Sequence, residues 1–575
     1  MSKHIFISYR NGSEEDLIID NVKNVCDLIS PEDLELNHVV TKINAGNNSY
    51  VGIQNTNNSF DLRTHLLIGA ITQNELKYSK IGDPIPDGSY AMIRYNQNHL
   101  EFFNDCFGSK TLWYFLDDEK LVISDSQRAI VNLKKKFEPN LSTLSWFLSS
   151  GSQGPFLSWD RNIEMIKPFH LYSFDFKNWK LDAQKINYEF ENSVSKKTSK
   201  IQREFNKKIK ASLLKIANHI PSNNILIPLS GGYDSRLIFN ITTQHKELDN
   251  ISSINWGKKP TEENFDDKIA ARKIANFHNR KLIDSFLPNF PDNYISLIDS
   301  FVKSGDCRID HINAFTDNFS LWKDLFRKGY KVIVRGDIPF TEGIDVNNKM
   351  TRAHIGISKF SDYRNSSDYN LEKYSELQHT SESMNKKSSE SFIEWRDRLY
   401  VEYRIPLVIS SFADLSNCFI ESRSPIMSGE LFSMYSQLPN RQKGNKKVIA
   451  KLSKSLDQTN VPFNASPSIP ALTDVFFNKE GIKFLKKSLT QIDNELITPG
   501  LINDVINKLE RHQAEIENSK SSFLSVLKSF LSEHLPLYLK GFLKSKQSMY
   551  LHPITLAYRL VLADRALIMY RGDSN

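Results

Sequence analysis

An apolar run, Ile225-Leu226-Ile227-Pro228-Leu229, leads straight into Ser230-Gly231-Gly232-Tyr233-Asp234-Ser235, and a second apolar run, Leu237–Ile241, follows. This strand–loop–helix order constrains the chain more than any other stretch in it. Two glycines at the end of a short buried strand let the backbone approach an anion closely, and the following helix N-terminus presents unpaired N–H groups to it. Ser230 and Ser235 add hydroxyl donors. Asp234 would repel a phosphate unless a cation stood between them, which makes it a candidate Mg²⁺ ligand. The loop is not a Walker A loop, which has a longer spacing and a Lys. The plainer alternative is a strand–turn–helix connection with an incidental glycine pair; strand, loop and helix in one register favour the anion cradle.

The flanking segments extend this pattern. Lys200–Ile220 carries Ile201, Phe205, Ile209, Leu213 and Ile216 at a helical period. After the glycine loop come a strand pattern at Ile251–Trp256, a helical period over Asp267–Phe277 and another strand pattern at Lys281–Phe286. A further strand, Lys331–Val334, ends in Arg335-Gly336-Asp337. Strands alternating with helices predict a parallel α/β sheet. Upstream, His4–Tyr9, Thr64–Ile71, Tyr90–Tyr95, Leu100–Phe103, Lys110–Leu116 and Lys120–Ile123 read as short strands between polar turns, hence antiparallel sheets in two layers. The polar stretch Asn192–Ser199 reads as a linker. The expected organisation is two domains, 1–190 and 191–575, the second mostly helical beyond about residue 390. Residues 358–392, rich in Ser, Asn, Lys and Glu, read as a mobile surface loop. Phe523–Phe542 is amphipathic, with packing on the second domain favoured over contact with a membrane or partner.

Composition narrows the function classes. A chain of 575 residues exceeds what one core serves, and 40% hydrophobic with 25% charged residues is ordinary for a soluble globular protein. Lys+Arg 74 against Asp+Glu 67 leaves +7, too small an excess to indicate nucleic-acid binding. No apolar run approaches the ~18 residues of a membrane span, and the N-terminus lacks a signal-peptide apolar region. Cys26, Cys106, Cys307 and Cys418 are too scattered for a CxxC site or a disulfide framework, so reduced thiols and a cytoplasmic location are expected. The histidines offer no metal-ligand spacing.

The Ser230–Ser235 loop resembles the pyrophosphate loop of ATP pyrophosphatases, and its neighbourhood resembles the asparagine synthetase family. Ile333-Val334-Arg335-Gly336-Asp337-Ile338-Pro339-Phe340 is similar to the second metal loop of that family, closest to the GSDIPLGG form in β-lactam synthetase. The resemblance implies ATP and Mg²⁺ as cofactors, with Asp234 and Asp337 as the metal ligands. Leu229, Ser230, Gly231, Gly232, Asp234, Ser235 and Gly336 would form the nucleotide loops. Asn255 and Trp256 fall where relatives surround adenine, although a Trp at a strand end also serves as packing, and Glu263–Ala275 resembles the family's following helix. Phe419-Ile420-Glu421-Ser422-Arg423-Ser424-Pro425 resembles the E-x-R-x-P segment, making Glu421 either a proton-transfer residue or the partner of Arg423. Gly444–Lys451 resembles G-x-x-K-x-x-L-R, whose Lys neutralises the leaving pyrophosphate; by register this is Lys447, with Lys446 next, while a solvated basic run is the alternative. In the first half, Asp87–Ala91, Asn104–Lys110, Leu112–Tyr114 and Val122–Ser126 resemble the family's glutaminase half. The implied architecture is an αββα N-terminal-nucleophile-like sandwich followed by a parallel-sheet ATP-pyrophosphatase domain with a helical C-terminal part.

Two departures narrow the implied activity. Ser2 stands where glutamine-hydrolysing relatives expose a cysteine, and no glutamine pocket is visible, so the first half is expected to be catalytically silent. Val334 replaces the Tyr that β-lactam synthetases carry three residues before the second aspartate. Arg236 and Arg335 are unusual neighbours that could add charge near phosphates. The expected activity is ATP-dependent, AMP-forming amide formation on a carboxylate substrate, similar to a lasso-peptide cyclase, with a precursor peptide and a partner protease as possible partners. The alternatives are an ammonia-dependent asparagine synthetase-like amidation and a nucleotide-binding pseudoenzyme.

Overall fold

The computed structural model describes residues 3–12, 14–55, 62–186, 198–259, 265–340, 348–439, 442, 446–463, 465–518 and 549–574. The strand patterns of the first 190 residues fold into β1 (His4–Tyr9), β2 (Val39–Ile43), β3 (Ser49–Ile53), β4 (His65–Ile71), β5 (Gly88–Tyr95), β6 (His99–Asn104), β7 (Trp113–Leu116), β8 (Lys120–Ser124), β9 (Glu164–Met165), β10 (His170–Asp175) and β11 (Lys180–Lys185). They build a sheet in the order β2-β3-β1-β8-β7-β9 and another in the order β11-β10-β6-β5-β4, antiparallel at every pairing. Alternation sorts the side chains: Phe6, Val51 and Ile123 of the first sheet meet Ile68, Ala91, Ile93 and Phe102 of the second in one apolar cluster. The other face of the second sheet carries Tyr90, Met92 and Phe103, with Tyr78 and Ile85 packed on it.

The second set of strands is β12 (Ile225–Pro228), β13 (Ser252–Gly257), β14 (Leu282–Phe286), β15 (Val332–Val334) and β16 (Glu421–Arg423). They form a parallel sheet in the order β14-β13-β12-β15-β16. The order reverses direction at β12, so the crevice outside the C-terminal ends of β12 and β15 is where such sheets take ligands. The fold class is therefore mixed α/β, with an antiparallel sheet pair, a parallel five-stranded sheet and helices. The helix Asp267–Phe277 has the bounds its period predicts, because Asp266 caps it by accepting from the Lys268 and Ile269 N–H groups at 3.0 Å.

The described residues beyond 390 are mostly helical as read, with the short strand β16 among them, too short to show a period. Two sequence expectations change. Residues 358–392 do not behave as a mobile surface loop: Phe360, Tyr369, Leu371 and Tyr374 are buried in the main core, and Trp395 donates to the Met384 carbonyl at 3.0 Å. Strand β7 starts at Trp113, leaving Lys110 in the preceding loop, buried and donating to the Ser422 carbonyl at 2.8 Å. The two halves are also joined more closely than a linker implies. The main core runs from Ile5 to Tyr570, and Arg128 forms a two-pronged ion pair with Asp573 in the last helix, Pro553–Asp573. The expected linker residues 192–197, Ser2, and the amphipathic segment Phe523–Phe542 lie outside the described residues. Among those described, no helix is long and apolar enough to cross a membrane.

Candidate functional site

The loop after β12 is knitted by its own hydroxyls. Ser230 and Ser235 hydrogen bond through their Oγ atoms at 2.8 Å, the Ser230 N–H donates to Ser235 Oγ at 3.2 Å, and the Gly232 N–H donates to Ser230 Oγ at 3.2 Å. Asn255, near the end of β13, pins the start of the loop by donating from Nδ2 to the Leu229 carbonyl at 2.6 Å. The helix Tyr233–Thr242 begins directly after Gly232, so its first turn faces the crevice with Asp234 in it. The Gly231 N–H donates to Asp267 Oδ1 at 2.9 Å, so one donor of the cradle already has a carboxylate acceptor that an incoming anion must replace or sit beside. Burial pushes the Asp267 carboxyl above its ordinary range, and this hydrogen bond only partly offsets that.

The loop after β15 comes to the same place. A Cβ built on Gly336 would stand 2.8 Å from the Asp234 carbonyl carbon and 3.0 Å from its Cβ, so only a glycine admits this approach. Asp337 accepts from Arg335 Nε at 2.9 Å and Nη2 at 3.2 Å, and from Ser424 Oγ at 3.0 Å. Burial alone would raise the Asp337 carboxyl, but Arg335, Ser424 and the more distant Lys446 hold it below the usual carboxylate value. Lys446 forms an ion pair with Asp234. One ammonium therefore interacts with both carboxylates that the sequence marks as metal ligands.

No protein-family model matches the chain, and no curated protein matches it.

Leu229, Ser230, Gly231, Gly232, Asp234, Ser235, Gly336 and Asp337 are brought together at the ends of β12 and β15. The register of the basic run changes. Lys447 is exposed at the first position of the helix Lys447–Leu456, while Lys446, in a left-handed conformation (φ 52°), turns to Asp234. Glu421 is paired with Arg423 Nη2 at 3.0 Å, the ion-pair alternative; its Oε1 is buried with no hydrogen-bond partner among the described residues. Trp256 packs edge-to-face on Trp322 at 5.7 Å between centroids, against the main core. Arg236 is fully buried and turned away from the loop. It binds Asp457 at 2.6 Å and the carbonyls of Val461 and Pro462 at 3.0 and 3.1 Å, and its guanidinium lies 3.5 Å above the Phe463 ring. Arg335 is likewise engaged with Asp337. Glu263 and Gly444 lie outside the described residues.

Sequence reasoning assigned no role to Ser424, Asp267 or the segment 457–468. That segment crosses the loop: Phe463 stacks on Tyr233 at 4.8 Å, and Ala465 Cβ lies 2.4 Å from where a Gly231 Cβ would be. Only the Asp266-Asp267 pair before an apolar-periodic run carried a signal, as a helix cap.

Asp234 and Asp337 are the carboxylates of this site that could hold a divalent cation. Mg²⁺ takes one or two protein carboxylates together with phosphate oxygens and water, and Asp234 and Asp337 supply two. Among the described residues no group of three or more His, Cys, Asp or Glu is arranged to hold a metal by itself, which is no obstacle when phosphates complete the shell.

Proposed function

We propose that this protein activates a carboxylate with Mg-ATP and joins it to an amine, releasing AMP and pyrophosphate, in the manner of a macrolactam-forming peptide cyclase. The observation that carries the reading is the meeting of the Ser230–Ser235 loop with the Arg335–Asp337 loop at the switch point of a parallel sheet, with Gly336 against Asp234.

On this reading the glycine loop and the helix N-terminus after it bind the β- and γ-phosphates. Asp234 and Asp337 would hold Mg²⁺, which supplies charge neutralisation on the phosphate oxygens. A substrate carboxylate oxygen attacks the α-phosphorus, the bond from phosphorus to the bridging oxygen breaks, and pyrophosphate leaves. Lys446 releases Asp234 and follows the departing charge, a role suited to an ammonium on a flexible stem. The amine then attacks the acyl carbon of the mixed anhydride, the carbon–oxygen bond to AMP breaks, and the amine loses a proton. Glu421 Oε1 is the candidate acceptor of that proton. In this scheme the antiparallel half is a scaffold, and Lys110 from it props the Ser422 carbonyl beside Glu421.

ATP–pyrophosphate exchange across a panel of carboxylates and peptides tests the reading. Carboxylate-dependent, Mg²⁺-dependent incorporation of labelled pyrophosphate into ATP is expected. Release of ADP in place of AMP would overturn the adenylation chemistry.

A further inference from the structure

Apart from the nucleotide crevice, a cavity of about 120 Å³ lies where the edge of the antiparallel half meets the parallel half. Its walls come from β4 and β5, the helix Thr198–His219 and the loop after β16. Leu67, Ile216 and Met427 give it an apolar lining, and Lys215 and Arg423 give it charge. A cavity of about 150 Å³ holds a benzene ring, so this one has room for roughly six heavy atoms.

The charge balance points to an anion. Lys215 donates to the carbonyls of Ile71, at 2.7 Å, and Gln73, which leaves the third proton of its ammonium without an acceptor among the described residues. Arg423 gives Nη2 to Glu421, while its buried Nε–H has no acceptor among them. The remaining charged groups on the walls are Glu75, which is bonded to His65 Nε2 at 2.7 Å, and His219, whose Nδ1 lies 2.8 Å from the Lys215 carbonyl. Burial lowers the Lys215 ammonium, Glu75 raises it by less, and Arg423 lowers it by less again. A carboxylate in the cavity would accept from the Arg423 Nε–H and the third Lys215 proton.

We propose that this cavity is a binding site for a short carboxylate with an apolar tail, the carboxylate meeting Lys215 and Arg423 and the tail lying against Leu67, Ile216 and Met427. Ser424, which bonds Asp337, forms part of its wall, so the site opens beside the nucleotide crevice without using any residue of the glycine loop. The proposal goes beyond the adenylation reading and is tested without nucleotide.

The test is a saturation-transfer NMR titration of the full chain with butyrate, butyramide and butylamine. Butyrate is expected to bind, with the neutral and cationic analogues weaker by roughly tenfold or more, the scale of one lost charge-assisted hydrogen bond. Ser212→Leu, on the helix wall one turn before Lys215, fills the cavity while keeping both cations and should abolish butyrate binding at unchanged melting temperature. Lys215→Met should weaken butyrate by at least the same factor. Equal binding of butyrate and butyramide, no saturation transfer to butyrate, or undiminished butyrate binding in Ser212→Leu would each overturn the proposal.

Discussion

Lys446 forms an ion pair with Asp234, 212 residues earlier in the chain, and adopts a left-handed backbone conformation in doing so. A non-glycine residue in that region costs roughly 1–2 kcal/mol, so the arrangement persists because the surroundings impose it. Its neighbour Lys447 is exposed at the first position of the helix Lys447–Leu456.

Under the proposed adenylation chemistry, this relationship favours Lys446 over Lys447. Lys446→Ala should slow pyrophosphate exchange by about 10²-fold, the usual consequence of removing one charge-stabilising group. Lys447→Ala should leave it within about twofold, as for an exposed charge. Steady-state exchange rates at saturating ATP check both.

The close approach of Gly336 to Asp234 gives a second expectation. In Gly336→Ala the new methyl meets backbone atoms that have no rotamer to change, so the two loops must separate. Overpacking of this kind costs about 1–3 kcal/mol. Exchange activity should fall well before the protein unfolds, and parallel melting and activity curves distinguish the two effects.

Arg236 ties residues 457–462 to the helix that follows the glycine loop. Arg236→Met keeps the length of the side chain but leaves the Asp457 carboxylate buried without its partner, a loss of roughly 3–5 kcal/mol for a buried pair. Adding Asp457→Asn should recover much of that stability, since no uncompensated charge remains. Denaturant unfolding of the single and double variants measures the coupling.

A pH dependence comes from the start of the last helix. His552 caps it, its Nδ1 accepting from the Ile554 N–H at 3.2 Å, and its ring meets His512 edge-on at 4.8 Å between centroids. Burial first, and His512 second, push the His552 imidazole from 6.5 down to about 4. The folded state thus keeps this ring neutral where the unfolded chain protonates it, so its contribution is present above pH 6.5 and is lost as pH falls toward about 4. His552→Asn retains a good capping side chain. Melting temperatures should fall less steeply in the variant than in the wild type across that window.

Much of the architecture was legible because its signals are local. The run Ile225–Leu229 and the double glycine fix a strand end, and the Asp267–Phe277 period with Asp266 before it fixes a helix. The bringing together of Asp234 and Asp337 followed from two strand ends in one parallel sheet. The choice between Lys446 and Lys447 was not legible, since adjacent lysines look alike and a single left-handed residue sets which one turns inward. Ser424 gave no signal, and Arg236 was read as a charge near the phosphates, because their partners, Asp337 and Asp457, are distant in sequence. Strand β16 was hidden by its three-residue length, and the packing of Tyr374 by the polar residues around it.

Calorimetric titration of ATP, with and without Mg²⁺, into the wild type and into Asp234→Asn and Asp337→Asn tests the central claim most directly, because it needs no knowledge of the carboxylate substrate. The account predicts Mg²⁺-dependent binding of ATP that weakens by roughly tenfold or more in each variant, since each removes a carboxylate from the cation's shell. ATP binding that ignores Mg²⁺, or that both variants retain at full strength, would contradict it.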